Sequence, residues 1–404
     1  MRRVKISLDN YAYAINNLFE FSGLEVSIMS IEFKSKDKIA VLTDCLNFEF
    51  HVESSFDFDA LLSGNVPLTY VSSFDMKRNL PVFFEVPNKK KVVFDFIGNV
   101  VYVNCDILTI TFILLSRIEE IWTCEHDEFS RFKSKNSLAV IYDFLNYPLV
   151  DEYANLLRKY CVGLNIPMRQ LKVSLIPTHD IDVIKRFNSS QHILRTILGD
   201  FVSLSFRDIL KLPFLLFKHF MGRKDQYFLA LEETHNDSRK RGFTSKFFFM
   251  SSAKSNYDEG YDLESINSFL QTLDPVSICL HPSFYTFNNE GLLKEEQKRF
   301  HQVTKIRPTS VRMHFLRFDI SKTPKQLENG GIENDYSLGY AEKVGFRCGT
   351  SNDYFLYDFE LGRASGLREF PLIAMDVTLF HYLKLTRKDA FNVLCSCFDE
   401  VHRL

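Results

Sequence analysis

Several features that would narrow the class of this chain at once are missing from it. Its eight cysteines, at positions 45, 105, 124, 161, 279, 348, 395 and 397, include no Cys-x-x-Cys pair. Only Cys395 and Cys397 stand close together, in an apolar, helix-like run. Thiolate metal spacings are therefore excluded, and scattered thiols fit a reducing cytoplasm better than a disulfide framework. There is no basic excess either: 49 Lys and Arg against 51 Asp and Glu leave a net charge of -2. That excludes the electrostatic footprint of a nucleic-acid binder. No apolar run approaches the roughly 20 residues of a membrane span. Behind Met1, Arg2 and Arg3 no apolar stretch follows, so the N-terminus does not read as a signal peptide. The expectation is a soluble cytoplasmic protein with no nucleic-acid partner and no transmembrane segment.

What is present is ordinary globular material with one bias. The 404 residues are 46% hydrophobic and 25% charged, enough for two or three domains with a real core. Forty phenylalanines predict that this core is rich in aromatics. Apolar residues recur at helical spacing from Asn10 to Leu24. Short alternating runs predict strands at 26–33, 39–43, 47–52, 67–71, 81–86 and 91–96. The first strong helix is expected over Asp106–Trp122, and another from Leu149 to Tyr160, with Asp151 and Glu152 suited to its N-terminal dipole. Residues 1–165 thus read as a small α+β domain without a catalytic constellation.

From 166 to 404 the pattern changes. Strands are expected at 171–176, 244–250, 276–280, 310–317 and 345–350, alternating with helices over 227–241, 263–273, 295–305, 335–344 and 387–401. Such alternation predicts a parallel β/α barrel-like domain. It is interrupted at about 188–224 by a helical insertion whose 191–222 stretch is both apolar and basic. A cover over the barrel rim is the plainer reading of that stretch. Peripheral contact with a membrane is the sharper one.

The chemistry gathers at strand ends. An apolar run to Ile176 is followed by Thr178, His179, Asp180, Ile181 and Asp182. Two carboxylates two residues apart on an extended segment point the same way. They repel unless a cation or proton lies between them. A loop of Asp residues capping the following helix is the bland alternative. Two further strands end in His281, Pro282 and Ser283, and in Arg312, His314 and Arg317. An Asp with one or two His residues from separate strands suits a zinc-type site with positions left for water. The second carboxylate is then free to accept a proton, with Arg312 to hold it ionised or to polarise a substrate oxygen.

These pieces resemble a family. Thr178 to Asp182, Ile278 to Ser283, Val311 to Arg317, Asp335 to Tyr340 and Gly345 to Thr350 are similar, in order and spacing, to motifs of the polysaccharide deacetylase superfamily of carbohydrate esterases. The branch concerned is bacterial and carries an N-terminal accessory domain. Leu115 to Glu120, Arg131-Phe132 and Pro148 to Glu152 resemble that domain. The resemblance implies a distorted (β/α)7 barrel, a divalent metal (zinc first) and removal of an N- or O-acetyl group from a cell-envelope or capsule carbohydrate. By position it implies Asp180 as general base, Asp182 and His281 as metal ligands, and Arg312 as the arginine orienting the base. Asp335, Tyr340 and Arg347 fall in segments near substrate, and His179, Ser283 and Tyr285 complete the expected substrate contacts. The family's second metal histidine stands four residues after the first, where this chain has Tyr285, so His314 is the candidate third ligand and a candidate catalytic acid. The alternative is a deacetylase-like module that binds or assembles glycans without turnover.

Overall fold

The computed structural model describes residues 3–72, 77–84, 93–123, 125–185 and 225–404, and the fold is mixed α/β. The expected insertion at about 188–224 lies outside the described residues. The chain forms two units, Met1–Val173 with Phe315–Leu404, and Ser174–His314.

In the first unit, Ser7 opens the helix Leu8–Ser22 with a reciprocal cap: its hydroxyl accepts from the Asn10 amide, and the Asn10 side chain accepts from the Ser7 amide. Its apolar face packs on the helices Leu108–Ser116 and Leu149–Gly163. All nine residues of Leu108–Ser116 are buried, as a helix apolar on every side requires. A five-stranded sheet runs in the order Ile28–Ser35, Lys38–Thr43, Asn47–His51, Val100–Val103, Phe94–Ile97. Only its Asn47–His51 and Val100–Val103 neighbours are parallel. Phe48 and Phe50 from this sheet stack on each other and pack tilted against Phe19, so the expected aromatic core is present. The C-terminal part of the unit adds the strand Asn334–Asp335, parallel to Arg363–Glu369, which pairs antiparallel with Tyr354–Asp358.

The second unit has four parallel strands in chain order: Thr178–Ile181, Lys246–Phe249, Ile278–Leu280 and Ser310–Val311. The helix Gln226–Lys240 precedes the second strand, the short helix Asn267–Leu270 the third, and the helix Glu290–Thr304 the fourth. Successive strands therefore lie side by side, with a helical segment before each new one.

The expected elements need four corrections. The 171–176 run is not a buried strand: Leu171, Val173, Leu175 and Ile176 are exposed. Proline cannot donate to a ladder, and pairing starts only where the Pro177 carbonyl accepts from the Lys246 amide. The 310–317 strand stops after Val311, because positive φ at Phe315 and Leu316 turns the chain through His314–Leu316. The predicted 335–344 helix and 345–350 strand are turns beyond Asn334–Asp335. The long helix over 106–122 breaks at Arg117, which adopts left-handed φ 56°. Among the described residues no helix is long and apolar enough to cross a membrane.

Candidate metal centre

Three of the four parallel strands of the second unit deliver side chains to one place. Just beyond the first strand stands Asp182. His281 follows the third directly, its amide donating to the Phe249 carbonyl (2.8 Å). Arg312 and His314 come after the fourth, the Arg312 amide donating to the Leu280 carbonyl (3.2 Å). One ligand atom each of Asp182, His281 and His314 falls within 4.8 Å of the others.

The ring orientations follow from their outer partners. His281 Nδ1 lies 2.5 Å from the Arg312 carbonyl oxygen, which only accepts, so Nδ1 carries the hydrogen. His314 Nδ1 lies 2.8 Å from Asp258 Oδ1 and donates in the same way. Each neutral ring is left with an Nε2 lone pair, and both are turned toward Asp182 Oδ1, at 3.3 Å from His281 and 3.8 Å from His314. That carboxylate oxygen is buried, and no described group donates to it in hydrogen-bond geometry. Three acceptors facing one another are unfavourable unless a positive charge lies among them.

Protonated instead of neutral, the same two rings favour the charge on Asp182. Burial pushes the Asp182 carboxyl up, but His281 and then His314 beside it more than offset this and hold it below the ordinary carboxylate value. Burial pulls His281 down, but Asp180, Asp182 and the Arg312 carbonyl together raise it. The slot between His281 and Asp182 thus attracts a cation, whether proton or metal. An Asp/His/His set with both Nδ1 atoms committed to outer acceptors fits a divalent cation of zinc type.

Asp180 faces elsewhere. Arg312 Nη1 donates to its Oδ1 (2.9 Å), and Arg312 Nη2 donates to Thr178 Oγ1 (2.9 Å). The same guanidinium lies over the Phe248 ring, 4.7 Å from its centre. Arg312 is nearly buried, so the half-buried Asp180 side chain is oriented by a fixed fork.

The remaining expected contacts divide. Tyr285 is 46% exposed and lies against Phe284, which stacks on Tyr257. His179 is half-buried with its ring stacked on Phe247. Ser283 is only 4% exposed and its hydroxyl donates to Glu296 (2.5 Å), so it fixes the loop after His281 rather than facing outward. Asp335, Tyr340 and Arg347 are buried in the first unit among their own partners. Ser337 donates twice to Asp335, and Arg347 makes a bidentate pair with Glu120. Arg117 Nη2 reaches Tyr340 Oη (3.4 Å). The structure brings together Asp180, Asp182, His281, Arg312 and His314, and sets these three into a separate buried network.

One residue of the centre escaped the sequence reading. Asp258 lies in an irregular, polar loop after the second strand, where no periodicity or spacing marks it.

Comparison with known proteins reaches only part of the chain. Residues 3–163 match the model of a family of unknown function, DUF7033. The matched segment ends before Asp180, so it carries no information about the centre. No curated protein matches the chain.

Proposed function

We propose that the protein is a metal-dependent hydrolase that removes an acetyl group from a cell-envelope or capsule carbohydrate. The observation that carries this reading is the convergence of Asp182, His281 and His314 with both histidine Nδ1 atoms occupied by outer acceptors, beside a carboxylate that Arg312 orients. The motif resemblance supplies the substrate class. Four parallel strands in chain order, each new one preceded by a helical segment, support a β/α barrel of the deacetylase kind.

A zinc ion held by Asp182, His281 and His314 would supply a water of lowered pKa and an electrophile for the acetyl carbonyl. The residues of the chain then have separate tasks. Asp180 accepts the proton of the attacking water, and the Arg312 fork keeps its carboxylate turned to that position. Buried His281 and His314 are presented rigidly, so little reorganisation accompanies binding. The exposed Tyr285 ring, with Tyr257 and Phe284 behind it, offers a flat apolar surface of the kind a sugar ring face covers.

Metal content of protein purified without added metal or chelator tests the reading first. About one zinc per chain is expected, lost in Asp182→Ala while the circular dichroism spectrum is unchanged. Hydrolysis of a panel of acetylated sugars by the zinc form would follow. Wild-type metal content in Asp182→Ala removes this residue from the centre. Bound zinc with glycan binding but no acetate release would instead favour a binding or assembly module.

A further inference from the structure

We propose that Asp258 is the positioning residue that makes His314 a metal ligand, in place of the ligand missing at position 285. The proposal rests on the reading of Asp182, His281 and His314 as a cation centre.

Of the four parallel strands, the second supplies none of the three candidate ligands. The loop that follows it supplies Asp258, which is buried to 1% exposure. One of its oxygens, Oδ1, is shared by two donors: His314 Nδ1 at 2.8 Å and the Phe284 amide at 2.8 Å. The other, Oδ2, accepts from the Ser255 hydroxyl (2.5 Å). A single buried carboxylate therefore ties the His314 ring to the loop that begins at His281.

Two consequences follow from chemistry alone. An imidazole whose Nδ1–H is held by a carboxylate has one tautomer, with the Nε2 lone pair on the side of the ring a metal would take. Because the Phe284 amide lies on the same oxygen, the spacing between the His281 loop and the His314 ring is set by Asp258 as well. With Tyr285 unable to serve as the further histidine, a ligand from the fourth strand needs such a fixed link.

The test uses the full chain. Zinc and cobalt are titrated in competition with a chromophoric chelator, and the cobalt form is followed by its visible d–d bands. Asp258→Ala is expected to weaken binding by about 10- to 100-fold and to change the cobalt spectrum. Asp258→Asn keeps an amide oxygen that accepts from Nδ1–H and is expected to recover most of the loss and the native spectrum. Ser255→Ala loosens the same loop without touching His314 and is expected to cost much less than Asp258→Ala. Equal losses in Ser255→Ala and Asp258→Ala, or no recovery in Asp258→Asn, would overturn the proposal.

A metal-free measurement separates this proposal from the reading it rests on. Nitrogen–proton correlation spectra of the histidine rings, at a pH about two units above the ordinary imidazole pKa of ~6.5, report each tautomer. His314→Gln identifies the His314 signal. The Nδ1–H form is expected in the wild type. An Nε2–H form there overturns the proposal even if zinc binds, and it does so without any Asp258 variant having to fold. The Nδ1–H form in a wild type that binds neither metal sinks the metal reading and leaves the positioning of His314 by Asp258 intact.

Discussion

Asp180 and Asp182 are two residues apart, yet their surroundings differ. Asp182 turns a buried oxygen to two imidazoles, while the half-buried Asp180 side chain is gripped by Arg312. Removing the charge at each should therefore differ in its effect on metal, though both changes cost turnover. Asp180→Asn is expected to retain zinc at the wild-type level and to lower acetate release by about 10²- to 10⁴-fold, the usual worth of a general base. Elemental analysis alongside a rate measurement checks both halves. Full activity in Asp180→Asn defeats the base assignment. Ser283 is a different kind of residue. Its hydroxyl is spent on Glu296, which burial holds above the ordinary carboxylate value although Ser283 and Thr286 donate to it. Ser283→Ala leaves a buried carboxyl short of a donor and is expected to destabilise the fold by roughly 1–3 kcal/mol. A chemical denaturation midpoint measures that loss. A change in KM without a change in stability would return Ser283 to the substrate.

At the level of elements, the adjacent strands Asn334–Asp335 and Arg363–Glu369 bring two carboxyls together. Glu369 is fully buried beside Asp335, and its Oε1 accepts from the Leu338 amide (3.0 Å). Burial, and after it the charge of Asp335, drives Glu369 well above the usual carboxylate range, so it is the protonated partner of the pair. The folded state then binds a proton that the unfolded chain releases above about pH 4.3, so this group costs stability increasingly as pH rises from there to its folded pKa. Glu369→Gln removes the ionisation and keeps the shape. Its stability relative to wild type is expected to improve by up to about 1.4 kcal/mol per pH unit over that window, and to show no gain at pH 4. Denaturation curves at pH 4, 6 and 8 test this. A constant difference across the three values is the contrary result.

The whole first unit depends on bonds between its distant halves. Arg117, buried and in a left-handed turn that costs on the order of 1 kcal/mol, donates from Nη1 to the Arg347 carbonyl (2.6 Å) and pairs with Glu119 and Glu120. Arg347 in turn clasps Glu120 through both of its oxygens (2.8 Å each). Asp151 accepts from Thr350 and Ser351, and Glu152 pairs with Arg403. Apart from the Arg117 pairs with Glu119 and Glu120, these bonds join the segment matched by DUF7033 to residues beyond 315. Glu120→Ala would leave two buried guanidinium groups without their shared carboxylate and is expected to cost about 3–5 kcal/mol. Residues 1–165 expressed alone are expected to show no cooperative melting transition, because Glu120, Asp151 and Glu152 lose partners there. A cooperative transition near that of the full chain would show instead that the segment folds by itself.

Local pattern was enough for much of this molecule. Helical spacing marks Leu8–Ser22, Leu149–Gly163, Glu290–Thr304 and Arg387–His402, since one face of each is more apolar than the other and periodicity is a property of neighbours in sequence. Carboxylate, imidazole and guanidinium groups placed just after apolar runs marked Asp180, Asp182, His281, Arg312 and His314 as candidates for the same reason. Long-range contact decided the rest. Pro177 ended the reach of the apolar 171–176 run. Arg117 broke a helix that its neighbours favour, and one of the groups it donates to there, the Arg347 carbonyl, lies 230 positions away. The turns of 336–350 replaced a predicted helix and strand where a side chain on Gly345 would collide with the Leu145 carbonyl. Asp258 acquired its place only when His314 and Phe284 were folded against it. By itself the sequence determined which segments are periodic and which polar groups end them. Only the tertiary structure decided which of those groups face a common point, because hydrogen bonds and buried charge are settled by distance in space.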